Sequence, residues 1–227
     1  MKILVSILGL LLIAGFCDNN QEQTYEYLFF TPTNKSLSSE EGKLPLIVFL
    51  HGAGERGTDL EKVRVHGPPK LVQTQEDFPF MLLSPLCPLD TWWDEKKLDL
   101  LLDQIVQTQP VDVNRIYLTG LSMGGFGTWN WAILRPDRFA AIAPICGGSE
   151  ENVSEVTKIQ HIPTWVFHGA KDEVVPLSAS SHIVDALKDL GTTVKFTVYP
   201  EPGHDSWTDT YNNPMLFDWF ESHRLRQ

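Results

Sequence analysis

The sequence predicts an α/β domain built on a mostly parallel sheet with helices packed on both faces. Three observations predict it. Short apolar runs such as Leu44–Leu50 ("LPLIVFL") lack polar alternation, as strands buried on both faces require. These runs alternate with segments of helical periodicity, which implies βαβ units. The stretch between the runs Ala140–Pro144 and Thr164–His168 has room for one short helix and no separate lid. No repeat, low-complexity segment or composition shift marks a second domain, so 18–227 reads as a single unit of ordinary size.

The elements follow in order. Residues 1–17, MKILVSILGLLLIAGFC, carry the marks of a signal peptide. Lys2 is the positive start, Ile3–Ile13 the apolar stretch, and Gly15 and Cys17 are small residues before a cut at Asp18. The run falls short of the roughly 20 residues that span a bilayer. It predicts a secreted or periplasmic protein with no stable membrane span. A lipid anchor on Cys17 is the alternative, and the bulky Phe16 stands against it. Tyr25–Phe30 is an edge strand ended by Thr31-Pro32, and Lys35–Gly42 a polar turn. Strands follow at Leu44–Leu50, Phe80–Ser84, Arg115–Thr119, Ala140–Pro144, Thr164–His168 and Val194–Tyr199. Helices lie at Asp94–Thr108, Phe126–Leu134, Ala179–Leu190 (stopped by Gly191) and Met215–His223. The connection from His51 to Pro79 is long, holds "GAGERG" and "HGPPK", and has a length often used for function.

Composition narrows the classes. Apolar residues at 42% and charged residues at 21% exclude a disordered or collagen-like chain. A net charge of −11, with no basic stripe and no zinc-finger or RNA-binding spacing, argues against a nucleic-acid partner. Beyond the leader only Cys87 and Cys146 remain. Two readings stay open: a disulfide, or two buried small residues.

The chemistry centres on Gly120-Leu121-Ser122-Met123-Gly124. G-x-S-x-G is weak alone, and a turn serine is the bland reading. Here, however, a strand precedes it and a helix follows, with Gly125 and Gly127 close behind. Such glycines let strand and helix pass closely around a strained nucleophile. The helix start also offers N–H groups to a developing oxyanion. A serine needs a base, and the base an orienting acid. His204 in "YPEPGHDSW" follows the last strong strand, and Asp172 follows Thr164–His168 through "GAK". Ser122, Asp172 and His204 thus stand in loops at the carboxyl ends of strands, where sites in open parallel sheets assemble. Asp205 and Glu173 are the nearest competing carboxylates, while His51 and His168 read as residues that shape or satisfy strand ends. The oxyanion donors are the N–H of Met123 and that of Ala53 in "FLHGAGERG", with Gly52 and Gly54 as neighbouring alternatives.

"LHGAGERG", "GLSMGGFGTW", "FHGAKDEVVP" and "PGHDSW" together resemble the α/β-hydrolase superfamily. The resemblance runs from about Tyr25 to the end and is greatest to the small phospholipase/carboxylesterase branch, which includes acyl-protein thioesterases and secreted esterases. It implies an α/β-hydrolase fold without a sizeable lid, and a Ser–Asp–His acyl-transfer mechanism on Ser122, Asp172 and His204. No metal or cofactor is called for. Ser122 speaks against the dehalogenase and epoxide versions, which need a carboxylate, and against the dienelactone version, which needs a thiol.

Trp92, Trp93 and Trp207 flank the expected cleft and suit an aryl, sugar-linked or short acyl group on a small molecule or polysaccharide. One of Trp92 and Trp93 is open to a core role instead, and Trp129 and Trp131 read as core. Glu55 and Arg56 read as an ion pair shaping the oxyanion loop. Two other readings remain: a prolyl-oligopeptidase-like peptidase, for which a propeller domain has no room here, and a non-catalytic binding protein on this fold. The oligomeric state is not legible.

Overall fold

The computed structural model describes residues 24–75 and 77–225; the leader-like run and Cys17 lie outside the described residues. Seven strands, β1 (Glu26–Phe30), β2 (Leu44–Leu50), β3 (Met81–Leu86), β4 (Val111–Leu121), β5 (Ala141–Ile145), β6 (Thr164–Gly169) and β7 (Val194–Tyr199), form one sheet. Their order is β1-β3-β2-β4-β5-β6-β7. The edge strand β1 runs antiparallel to β3, and the other pairs are parallel. This is the mostly parallel sheet that the apolar runs predict.

Strand geometry divides the core. In β2, Leu44, Leu46, Val48 and Leu50 face one layer, while Ile47 and Phe49 face the other. All seven residues of β2 are buried, so this central strand has no solvent face. Burying a Leu or Phe side chain stabilises by about 1.5–3 kcal/mol, which is why a polar residue is not found in the run. The first layer is closed by α2 (Glu95–Thr108), α3 (Met123–Leu134) and α4 (Leu177–Asp189). The second is closed by α1 (Gly67–Leu71), α5 (Trp207–Tyr211) and α6 (Pro214–Glu221). Asp94 caps α2, its carboxylate accepting from Lys96 N at 3.0 Å and Lys97 N at 3.2 Å.

Boundaries differ from the sequence reading in instructive ways. β4 starts at Val111 rather than Arg115 because the half-buried Asp112 and Asn114 and the exposed Val113 belong to a strand that already pairs with Leu44 through Val111. Arg115, buried in that strand, donates to Asp112 at 2.6 Å and to the Leu37 carbonyl at 2.8 Å, tying the polar turn to the sheet. Helix α3 starts at Met123, not Phe126. The glycines that delay the expected start are needed for approach: a Cβ on Gly124 would meet the Leu50 carbonyl oxygen at 2.0 Å, and one on Gly125 the Ile145 oxygen at 2.4 Å. Between β5 and β6 stands a single 3-10 helix, Glu150–Ile159, and no lid-length insertion. No helix among the described residues is long and apolar enough to cross a membrane. Cys87 and Cys146 are free and buried, so of the two cysteine readings the disulfide is set aside.

Candidate active site

The turn between β4 and α3 holds Ser122 at φ 52°, ψ −118°. A residue with a side chain avoids positive φ at a cost of about 1–3 kcal/mol, and sites are where such strain persists. The turn is held on both sides: Ser122 N donates to Ile145 O at 3.0 Å, and Phe126 N to Ser122 O at 3.0 Å. The strain aims the hydroxyl away from the sheet edge, where it donates to His204 Nε2 at 2.9 Å.

His204 and Asp172 come from the loops after β7 and β6. The loops touch through their backbones: Lys171 N donates to Pro202 O at 3.1 Å, and a Cβ on Gly169 would lie 2.1 Å from Gly203 O. His204 Nδ1 donates to Asp172 Oδ2 at 2.8 Å. The other carboxylate oxygen, Oδ1, accepts from Val174 N and Val175 N, both at 2.9 Å. With its side chain wholly out of solvent, Asp172 is therefore anchored by backbone donors at one oxygen and faces the imidazole with the other. The competing carboxylate Asp205 turns away, accepting from Thr208 N at 3.0 Å and Thr208 Oγ1 at 2.9 Å.

Beside the serine lies the loop after β2. Gly52 packs against Leu121, its missing Cβ 2.8 Å from Leu121 Cδ1. Gly52 N is spent on Glu55 Oε2 at 2.8 Å, so of the three donor candidates in this loop Ala53 and Gly54 remain. Glu55 thus shapes the loop by its own backbone contact. Arg56 does not pair with it; Arg56 donates to Ala53 O and Thr91 O, each at 3.0 Å, and so staples the loop to the segment bearing Trp92. Met123, the first residue of α3, has an N–H that no turn of its own helix can satisfy. His51 shapes the strand end as expected. Its Nδ1 donates to Gly52 O at 2.6 Å and its Nε2 accepts from Cys87 N at 3.0 Å. Burial drives its pKa down to about 4.

The tryptophans separate. Trp92 is 62% exposed and meets Phe126, one turn past Ser122, edge-on at 6.0 Å. Trp207 stands perpendicular to the His204 ring at 5.2 Å and also meets His66. Trp93 is buried and is not a cleft wall: its indole donates to His51 O at 3.3 Å and its ring packs on Tyr25 and His51. Nothing in the surrounding sequence signals which of the two adjacent indoles points inward. The sequence also missed α1 and α5, too short to show a period, and so missed the cavity of about 350 Å³ behind Trp207 lined by His66, Lys70, Leu71 and Tyr211. Another cavity, about 460 Å³, lies at the far end of β6 and β7 against Thr164, Lys195 and Trp219, away from Ser122.

Two buried groups lie behind the serine. The Cys146 thiol is within 4.8 Å of Asp172 and His204 ligand atoms, but burial pushes it up to about 12, and the other two are engaged with each other. The three form a hydrogen-bonded pair with a protonated thiol beside it rather than a ligand set. His168, the last residue but one of β6, presents Nε2 to Asp172 Oδ2 at 3.2 Å, a contact the sequence did not reveal.

Residues 91–214, more than half of the chain and the segment that carries all three of these side chains, match the Dienelactone hydrolase family. The chain belongs to the dienelactone hydrolase family. Within that family it holds a serine, so Ser122 does not set the chain outside the family, contrary to the expectation that the dienelactone version needs a thiol. A poly(3-hydroxyoctanoate) depolymerase of Pseudomonas fluorescens is 28% identical over 177 residues, 68% of this chain and 63% of the depolymerase. A bifunctional acetylxylan esterase/xylanase of Neocallimastix patriciarum is 27% identical over 64% of this chain and 21% of that protein. Among solved structures, a thermostable esterase superposes with a TM-score of 0.77 at 35% identity, covering 87% of this chain and 58% of the esterase. This member of the dienelactone hydrolase family thus spans less than two thirds of these relatives' own length.

Proposed function

We propose that the protein hydrolyses carboxylic esters as a serine hydrolase, with Ser122 as nucleophile, His204 as base and Asp172 as the acid that orients it. The observation that carries this reading is the unbroken chain from Ser122 Oγ to His204 Nε2 at 2.9 Å and from His204 Nδ1 to Asp172 Oδ2 at 2.8 Å. His204 takes the hydroxyl proton as Oγ attacks the ester carbonyl, and Asp172 stabilises the imidazolium that results. The N–H groups of Ala53 and Met123 receive the oxyanion. His204 then returns the proton to the leaving alcohol, and water repeats the sequence on the acyl-enzyme. The names of the relatives, an esterase and a polyester depolymerase among them, support ester chemistry.

The absence of a lid-length insertion between β5 and β6, the exposed Trp92 and the half-buried Phe126 beside it support short acyl, aryl or sugar-linked esters as substrates. The apolar run Ile3–Ile13 behind Lys2 supports export. Ser122→Ala should cut hydrolysis of p-nitrophenyl acetate by about 10⁴-fold or more and abolish labelling by a fluorophosphonate probe. Retained turnover in the folded variant would overturn the nucleophile assignment. A folded wild-type protein that takes no label would instead favour a binding role on this fold.

A further inference from the structure

His168 has no part in the proton transfers above, yet it is wholly buried and in contact with the acid. Its two ring nitrogens have unlike surroundings. Nε2 faces two acceptors, Asp172 Oδ2 at 3.2 Å and Val175 O at 2.9 Å. Only a protonated Nε2 satisfies either of them. Nδ1 faces the Ser180 hydroxyl at 2.8 Å, and that hydroxyl also lies 2.7 Å from Gly147 O. Burial depresses the pKa of His168, which favours the neutral ring. The neutral ring with its proton on Nε2 leaves Nδ1 bare, and it shares the one Ser180 proton with Gly147 O, to which that hydroxyl donates at 2.7 Å.

We propose that His168 is a positioning residue for Asp172, its Nε2 proton bound to Val175 O and shared with the same carboxylate oxygen that accepts from His204 Nδ1. The inference rests on the Ser122–His204–Asp172 reading given above. Asp172 then accepts three hydrogen bonds, two from backbone N–H at Oδ1 and one from His204 at Oδ2, and the His168 Nε2, bonded to Val175 O at 2.9 Å, stands 3.2 Å from that same Oδ2. Backbone donors fix Oδ1 and His204 holds Oδ2 from one side; the His168 N–H, 3.2 Å from Oδ2, limits the swing that remains. It also draws on the charge at Oδ2, so that less of it is available to hold a proton on His204. The line runs from helix α4 through Ser180, His168, Asp172 and His204 to Ser122, and Ser180 and His168 never touch substrate.

The groups that face His168 are few. Asp172 comes from its own following turn and His204 from the loop after β7. Helix α4 contributes the uncharged Ser180 hydroxyl, and the end of β5 the Gly147 carbonyl, with the Cys146 thiol standing next to Asp172 and His204. Within this set Asp172 is the single carboxylate, so a change at His168 is felt through that oxygen.

The test is kinetic. In His168→Phe the ring loses its donor to Asp172, and kcat for p-nitrophenyl acetate should fall roughly ten- to a hundredfold, the scale of losing one hydrogen bond to a charged group. KM should stay within about twofold, because no substrate contact is touched. The acidic limb of kcat/KM should move to higher pH, since the unshared charge at Oδ2 holds the His204 proton more firmly. His168→Gln, which keeps an N–H donor, should restore much of the rate and return the limb toward wild type. Should His168→Phe not fold, Ser180→Ala, which frees Nδ1 and lets the ring turn, should show the same limb shift with a smaller loss of kcat. Wild-type kcat and an unmoved limb in a folded variant would overturn the proposal. A lower kcat with the limb unmoved would assign His168 to packing and overturn it equally. If Ser122→Ala stays active, it is the triad reading that has failed, whatever the His168 variants do.

Discussion

Acid should weaken this fold through His51, and the size of the effect follows from its environment. His51 is buried at the end of β2, with Nε2 accepting from Cys87 N and Nδ1 donating to Gly52 O. A second proton has one place to go, Nε2, where it would point at the Cys87 N–H. Burial, above all, lowers the pKa from 6.5 to about 4. In the unfolded chain the ring titrates near its ordinary value, so between pH 6.5 and pH 4 the unfolded state binds the extra proton. Stability is then fully present above about pH 6.5, falls as pH is lowered, and levels off, for this group, below about pH 4. The contribution amounts to about 3 kcal/mol, since a tenfold change in proton affinity is worth roughly 1.36 kcal/mol. Urea unfolding at a series of pH values between about 7.5 and 4 measures it. His168, also lowered by burial, adds to the same trend, so the contribution of His51 is the difference in slope between wild type and His51→Gln, which cannot titrate. Parallel stability curves for the two proteins would refute the reasoning.

Gly124→Ala should destabilise by about 3 kcal/mol or more, or prevent folding, because its Cβ would sit 2.0 Å from the Leu50 oxygen, between two backbones that cannot yield; thermal melts read this directly. Trp92→Ala should leave the melting temperature nearly unchanged, as exposed positions do, while raising KM for aryl esters more than for acetyl esters. Asp94→Ala should cost about 1 kcal/mol through loss of the α2 cap, seen as a lower urea midpoint. Cys87 and Cys146, both free and buried, should resist a thiol reagent in the native protein and react after denaturation, as peptide mass spectrometry would show.

The central strands are legible in the sequence because burial on both faces leaves nothing but apolar residues, and Leu44–Leu50 agrees residue for residue with β2. β4 reads short because Asp112 and Asn114 break the apolar run near its start, so composition hides a pairing that only the neighbour Leu44 reveals. Ser122, Asp172 and His204 are visible through order and loop position, and the structure brings the three within hydrogen-bonding distance. What cannot be read is orientation. Adjacent Trp92 and Trp93 have the same chemistry in the sequence, and only packing sends one to solvent and the other against His51. The same holds for His168: four residues before Asp172, it meets that side chain because the intervening turn folds back, and no local pattern encodes the return.

The close approach of backbones at Gly124, Gly125 and Gly147 also bears on how such a protein can change over time. A Cβ on Gly147 would meet the Gly125 carbonyl carbon at 2.5 Å, so each of these positions is closed to any larger residue by main chain rather than by side chains. A second substitution cannot make room where the obstacle is a carbonyl common to all sequences. The turn carrying Ser122 is therefore a fixed point, and inheritance can alter it little without losing the fold. Trp92 and Phe126 are constrained by nothing comparable. Diversification of substrate would have to run through such side chains, leaving the serine turn as it stands.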